Sequence, residues 1–343
     1  MLEQAIIMAG GEGKRLLPLT EARPKPLMPL LGEPVIGMTL HLLRRHGIRR
    51  ASLTVRWMAD KIMDALGDGS AYGVRLRYSR EQEPMGTAGG VRLAAKDMTG
   101  TLLVMSGDGL TDFDLAELYQ AHIAAGNPMS MVVKRIKGDV SAYGVCQTAD
   151  GLLTGFCEKQ PGVEGGTINT GIYFIERELL DLIPEGKHYD FACDLIPELL
   201  NLGIKINALE AYGYWCDIGS RDAYHQAQMD LLAGRVGLPV EGTRMGHAIV
   251  APGCRIEPHV RVTGRCYIGR GSHVGRGTVL GKGTILNSGV HIGRNVRLEN
   301  TTLWEKSRLD SGTVLRNVVV IPENGQPGLQ RLVLCGSSDT RIS

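Results

Sequence analysis

The sequence predicts an α/β domain with a mostly parallel sheet, followed by an all-β parallel β-helix. Three observations carry this. Residues 1–232 alternate short β-rich runs with helical patterns, which is how a sheet covered by crossover helices reads. From Val250 onward, aliphatic residues recur every six positions: Val250, Ile256, Val262, Ile268, Val274, Leu280, Leu286, Ile292 and Leu298, with no place missed. The length of 343 residues exceeds one ordinary core, so two domains are the default. We expect the α/β domain over 1–232, a linker over 233–245, the repeat over 246–321 and a tail over 322–343.

In chain order, strands are expected at Glu3–Ala9, Ala51–Val55, Arg75–Ser79, Thr101–Ser106, Met129–Val133 and Thr170–Ile175. Helices are expected at Val35–His46, Met58–Leu66, Gly90–Lys96, Leu115–Ala125, Phe191–Leu202 and Ser220–Leu232. Asp114 stands where a side-chain cap would open Leu115–Ala125. In the repeat, glycine follows the aliphatic residue at Gly269, Gly275, Gly281 and Gly293. Small or branched residues lie four after each aliphatic, from Cys254 to Val296. The register slips by one residue and resumes at Leu303, Leu309, Leu315 and Ile321. A six-residue period is neither helical nor that of an ordinary strand; three hexads make one coil, and the aliphatics stack inside. The pattern resembles left-handed hexapeptide-repeat β-helices. The tail from Pro322 has little pattern; we expect it to be partly disordered and to cap the solenoid end.

Composition narrows the classes. Hydrophobic residues make up 43%, a globular value, and no apolar run approaches the ~20 residues of a membrane span. The chain enters a strand at once, so no secretory signal is read. Seven scattered cysteines without a C-x-x-C pair point to free thiols in a reducing cytoplasm. Between Arg244 and Ile321 there are 12 basic and 4 acidic residues, although the whole chain is only +2. That basic face suits docking on an acidic catalytic domain, its own or a neighbour's, and a homo-oligomer through the β-helix is expected. A nucleic-acid partner is not, because the coils carry no aromatic stacking platform.

The chemistry begins at the end of the first strand. Ala9 runs into a loop with Gly10, Gly11 and Gly13, followed by Lys14 and Arg15, with Lys25 between Pro24 and Pro26. Such glycines let backbone N–H groups close on a bulky anion, and the cations neutralise it. This is the chemistry of a triphosphate site. A Walker loop is excluded because Arg15 follows Lys14, and a dinucleotide fingerprint because Leu16 stands where its third glycine belongs. The run Gly10-Gly11-Glu12-Gly13-Lys14-Arg15-Leu16-Leu17-Pro18-Leu19-Thr20, then Pro24-Lys25-Pro26, resembles the signature of the sugar-1-phosphate nucleotidyltransferases.

Further motifs follow in that family's order. Glu81-Gln82-Glu83-Pro84-Met85-Gly86-Thr87-Ala88-Gly89 resembles its base-reading loop, which makes Glu81, Met85, Gly86 and Thr87 nucleotide-binding candidates. A carboxylate only accepts hydrogen bonds, and guanine offers two adjacent donors, so Glu81 favours GTP. Asp108 in Ser106-Gly107-Asp108-Gly109 and Asp217 in Trp215-Cys216-Asp217-Ile218-Gly219 match the family's two metal ligands, with Asp112 and Asp114 as nearby alternatives, and the resemblance implies Mg²⁺. Glu158-Lys159-Gln160-Pro161 resembles an E-K-P motif in which Gln160 intervenes; Glu158 would orient the sugar and Lys159 its phosphate. Gly144 and Asn169 match further sugar-contacting positions.

The resemblance implies a Rossmann-like catalytic domain and transfer from an NTP, GTP first, to a sugar 1-phosphate, mannose 1-phosphate first, with Arg15 and Lys25 as catalytic cations. Glucose 1-phosphate with UTP, dTTP or ATP is the alternative. Two other classes compete. An acyltransferase would use one of His247, His259, His273 or His291, which otherwise read as exposed turn residues. A silent regulatory subunit would have lost the catalytic cations or carboxylates, which are all present.

Overall fold

A computed structural model describes residues 2–322 and 330–334. By packing, the chain divides into two units. The first comprises Met1–Glu12 and Thr39–Asp217, and the second Gly13–Met38 and Ile218–Ser343. The grouping differs from a cut at residue 232. The segment after the first glycines leaves the sheet and packs with the β-helix instead.

The first unit is built on a nine-stranded sheet. Its spatial order is Arg75–Arg80, Arg50–Val55, Gln4–Met8, Thr101–Ser106, Glu164–Glu176, Met129–Asp139, Ile206–Glu210, Leu152–Glu158 and Gly144–Ala149. The first four strands are mutually parallel, and Met129–Asp139 is parallel to Ile206–Glu210. Glu164–Glu176 runs antiparallel to both its neighbours. Gln4–Met8 lies between Arg50–Val55 and Thr101–Ser106, so the chain crosses one way and then the other from it. The crevice beyond the carboxyl ends of Gln4–Met8 and Thr101–Ser106 is therefore a topological switch point, where ligands bind in such sheets.

Apolar faces explain these elements. Ile6, Leu102, Val104, Met129, Met131 and Ile175 are buried beneath Val91, Phe191, Leu195 and Leu199. Leu115–Ala125 opens as expected, with Asp114 Oδ1 accepting the Ala116 and Glu117 amides at 3.0 and 2.9 Å. Two helices differ from expectation. The one expected at Gly90–Lys96 spans Gly86–Ala94, so the glycines of the base-reading motif form its first turn. Phe191–Leu202 divides into a π-helical turn, Phe191–Leu195, and an α-helix, Ile196–Asn201. Pro197 lacks the N–H an α-helix would need there, which accounts for the change of winding.

In the second unit the hexads wind into a parallel β-helix. Cys266 pairs with Thr284 and Ile268 with Leu286, eighteen residues apart. Leu286 then pairs with Leu303 and Ile292 with Leu309, seventeen apart, where the register slips in the sequence. Three faces form, carried in one coil by Cys266–Ile268, His273–Val274 and Val279–Leu280. Ile268, Val274, Leu280, Leu286, Ile292 and Leu303 are fully buried. Ile256, in the first coil, is 43% exposed because no coil precedes it.

The expected linker ends in a strand, Thr243–Met245, paired antiparallel with Ala248–Val250. The tail is not wholly patternless. Gln330–Leu334 pairs antiparallel with the last coil, and Val333 is buried against it. The rest of the expected disordered tail lies outside the described residues. Among the described residues no helix is long and apolar enough to cross a membrane.

Candidate active site

A pocket of about 300 Å³ opens at the switch point, lined among others by Gly10, Gly11, Arg56, Glu81, Ser106 and Asp108. Three motifs distant in sequence meet there because parallel strands end at one edge. Gly107 makes the tight step from strand to pocket. A Cβ on it would lie 2.9 Å from the Met8 carbonyl.

Glu81 is only 8% exposed. Its Oε2 accepts the Met85 amide at 3.2 Å. Its Oε1 occupies space that side chains would close: a Cβ on Gly90 would stand 2.6 Å from it and one on Gly10 3.3 Å. Two glycines of different motifs thus make room for one buried carboxylate. Burial pushes the Glu81 carboxyl above the usual carboxylate range, against the hydrogen bond from Met85 and the nearby Arg56. Arg56 also forms a 2.9 Å ion pair with Glu12 in the first loop.

The motif Met85–Gly89 is stitched to residues 189–191. The Ala88 and Gly89 amides donate to the Tyr189 carbonyl at 2.9 Å, and the Tyr189 amide donates to Met85. These bonds satisfy donors that a helix start leaves open. Thr87 donates its N–H and its hydroxyl to Asp190 Oδ1, each at 2.9 Å. Its donors therefore serve the loop contact. Gly86 has φ +70°, and a Cβ there would lie 2.6 Å from the Tyr189 oxygen. The glycine is required by the protein's own backbone. Gly86→Ala should destabilise the protein by about 1–3 kcal/mol, read as a lower melting temperature.

The two carboxylates are neighbours. Asp108 follows strand Thr101–Ser106, and its Oδ1 accepts the Ser106 hydroxyl. Asp217 ends strand Trp215–Asp217, which pairs antiparallel with Gly109–Thr111 and sets Asp217 opposite Gly109. The register brings Asp217 beside Asp108, both partly exposed. Two carboxylates one register step apart and partly open to solvent are the donor type that Mg²⁺ takes, keeping waters and drawing the rest of its shell from phosphates. Asp112 acts elsewhere. Its Oδ1 accepts the Tyr214 amide at 2.7 Å and so fixes the turn before Trp215. A third cluster, His188, Asp190 and Asp194, has donor atoms within 4.8 Å of one another. Asp190 already accepts from Thr87, and Asp194 from the Asp190 amide. We read that cluster as loop structure.

The sugar-side candidates lie on the antiparallel part of the sheet. Glu158 pairs in register with Gly144, and a Cβ on Gly144 would sit 2.7 Å from Glu158 Oε2. Lys159 Nζ is 3.0 Å from Glu158 Oε1. The 167–168 stretch pairs with 145–146, which brings Asn169 towards Gly144. Asn169 donates to the Tyr173 hydroxyl at 2.7 Å and accepts the Gly171 amide at 2.9 Å, so its side chain is fixed at both ends.

Arg15 and Lys25 belong to the second unit. Arg15 is exposed at the middle of the 3₁₀ turn Lys14–Leu16, while Lys25 is 7% exposed and starts the turn Lys25–Leu27. Gly13 has φ +67°, and a Cβ on it would lie 3.2 Å from Lys25 Cβ. Of the histidines, His247, His259 and His291 are exposed, while His273 is half-buried and pairs with Glu257 at 3.1 Å.

Sequence reasoning missed several residues. Arg56, His188 and Asp190 line the pocket without belonging to any motif. Trp215 donates to the Thr170 carbonyl at 3.1 Å and meets Tyr143 edge-on at 5.5 Å. It thereby ties the Asp217 strand to the sugar-side strands. Its place within the Asp217 motif, two residues before the carboxylate, was the available signal.

Comparison with known proteins agrees with this geometry. The nucleotidyl transferase family matches residues 4–234. A UTP–glucose-1-phosphate uridylyltransferase of Synechocystis sp. is 32% identical over 92% of this chain and 87% of its own. A mannose-1-phosphate guanylyltransferase of Mycobacterium tuberculosis is 30% identical over 91% and 82%. Among solved structures, HddC from Yersinia pseudotuberculosis superposes with a TM-score of 0.60 at 25% identity, over 67% of this chain and 100% of that one. With relatives matched over most of their length and the family match covering every strand of the nine-stranded sheet, the chain belongs to the nucleotidyl transferase family.

Proposed function

We propose that the chain transfers a nucleotidyl group from GTP to a sugar 1-phosphate, mannose 1-phosphate first, and releases pyrophosphate. The observation that carries this reading is the switch-point pocket, which brings the glycine loop, a buried carboxylate and Asp108 together. Glu81 would accept the two guanine donors, and Gly10, Gly11 and Gly13 would offer backbone to the triphosphate. Glu158 would orient the sugar ring beside Gly144 and Asn169, and Lys159 would seat its phosphate.

The mechanism follows from the groups present. A sugar phosphate is largely dianionic near pH 7, with a second pKa of ~6, so attack on the α-phosphorus requires no general base. Rate comes from holding the two anions in line and neutralising charge. Arg15 would bind the triphosphate and the departing pyrophosphate; Lys25 would bind the α-phosphate or the incoming phosphate. Asp108 and Asp217 would hold Mg²⁺, which when bound polarises phosphate oxygens. We further propose that the chain self-associates through the basic face of the β-helix.

The direct test is pyrophosphate release, with Mg²⁺, from a grid of nucleoside triphosphates against mannose, glucose, N-acetylglucosamine and heptose 1-phosphates. Release with GTP and mannose 1-phosphate is expected. Release with UTP and glucose 1-phosphate would favour the second reading, which the Synechocystis relative supports. No release with any pair would overturn the proposal.

Glu81→Gln separates the base argument from the fold. An amide presents a donor where guanine also presents one, so KM for GTP should rise about tenfold or more. Stability should move the other way. Burial raises the Glu81 pKa in the folded state, so its contribution is full at low pH and is lost as pH rises through that pKa. The glutamine variant should therefore melt higher than the parent at pH 8, with the gap closing near pH ~4, the ordinary carboxyl range. A thermal scan at both pH values checks this.

A further inference from the structure

The segment Gly13–Met38 carries both catalytic cations, and it is held upstream of Lys25 by the β-helix and downstream by Tyr224 of the helix Arg221–Ala233, which the β-helix backs through Trp304. Upstream, Arg23 Nη1 donates to Glu305 Oε1 at 2.9 Å, and its guanidinium lies 4.7 Å from the centre of the Trp304 ring. Downstream, the Pro29 carbonyl accepts the Tyr224 hydroxyl at 2.6 Å, and that hydroxyl accepts the Trp304 indole N–H at 3.1 Å. Tyr224 is 1% exposed. Trp304 thus serves both anchors, stacking under one and donating into the other.

A third contact closes the hairpin that follows. The Gly32 amide donates to Asn287 Oδ1 at 2.9 Å. Asn287 is fully buried between coils, where its Nδ2 donates to the Leu303 carbonyl at 2.8 Å. Gly32 has φ +84°, and a Cβ there would lie 2.6 Å from the Tyr267 hydroxyl, so the hairpin sits against the coil with no room to spare. An asparagine fully buried between coils would cost stability unless it were hydrogen-bonded. Here its oxygen is matched by a donor from outside the solenoid.

We propose that Asn287, Trp304, Glu305 and Tyr224 are positioning residues for Lys25, so that the β-helix is a working part of the transferase rather than an appendage. Arg23 stands two residues before Lys25 and Pro29 four after it. Pro24 and Pro26 fix φ on either side of the cation. Two anchors joined by so short and stiff a stretch leave the Lys25 backbone little freedom. A charge-neutralising group loses most of its effect when it is about 1 Å out of place, so anchors that never touch substrate should govern turnover.

This inference rests on the catalytic role given to Lys25, and a double-mutant cycle on the full chain separates the two. Asn287→Ala and Glu305→Ala are each expected to lower kcat about 10–30-fold, with KM for the nucleotide within twofold of the parent. In a Lys25→Ala background the same substitutions should change kcat by less than twofold, because the group they position is gone. Two milder variants guard against general unfolding. Trp304→Phe keeps the ring beneath Arg23 but loses the indole donor, and should give an intermediate loss. Glu305→Gln retains an acceptor for Arg23 and should recover most of the rate lost in Glu305→Ala. Anchor losses that persist undiminished in the Lys25→Ala background, or anchor variants with parental kcat, would overturn the inference. Parental turnover in Lys25→Ala itself would instead overturn the role of Lys25.

Discussion

Lys25→Ala is expected to lower kcat at least ~10²-fold at saturating substrate, with little change in the fold. Lys25 is the cation the local structure treats most carefully. It is 7% exposed, opens a short 3₁₀ turn, and lies between prolines. Gly13 approaches its Cβ so closely that a side chain there would press on it. A lysine on a backbone this constrained has less to reorganise before it meets an anion, which is the condition under which a fixed charge contributes most to a transition state. Arg15 differs: it is exposed, which suits a charge that captures and releases the triphosphate. Steady-state pyrophosphate release measures the first claim, and nucleotide affinity by equilibrium titration separates it from binding. A Lys25→Ala enzyme with parental kcat would refute the assignment.

Much of this was readable beforehand, for reasons specific to the residues involved. The hexad series foretold the β-helix because each aliphatic has one place to go, and even the one-residue slip after Leu298 reappears as the change from eighteen to seventeen residues per coil. The Asp114 cap was legible because a short carboxylate before a helix has one strong local use. The start of Gly86–Ala94 was not. A run with three glycines scores poorly as helix, and what stabilises it is the Tyr189 backbone a hundred residues away. Nor could the sequence say that Gly13–Met38 packs with the β-helix, since Arg23, Pro29 and Gly32 find partners 195–282 residues further along. Glu81 was legible as a carboxylate of the second motif, but not as one buried beneath Gly10 and Gly90.

Asp108→Asn should match Lys25→Ala in size, with kcat down at least ~10²-fold, and differ from it in the dependence on Mg²⁺. Asparagine is nearly isosteric with aspartate, and its Oδ1 can still accept the Ser106 hydroxyl, so the turn at Gly107 should survive and the melting temperature without metal should hold. What disappears is one of the two negative charges that stand at the same end of the short sheet, one register step apart. A single remaining carboxylate binds a hard dication more weakly, so half-maximal activity should require more Mg²⁺. Asp217→Asn should behave alike, because it removes the other carboxylate proposed to hold Mg²⁺. Asp112→Asn is the control nearby. Its Oδ1 holds the Tyr214 amide, and an asparagine oxygen can accept that bond as well, so the Mg²⁺ dependence should stay parental. If Asp108→Asn kept the parental rate and metal requirement, the cation would have to be held elsewhere and the reading of the pair would fail. If Asp112→Asn shifted the metal requirement as far as Asp108→Asn, the two-residue assignment would be too narrow.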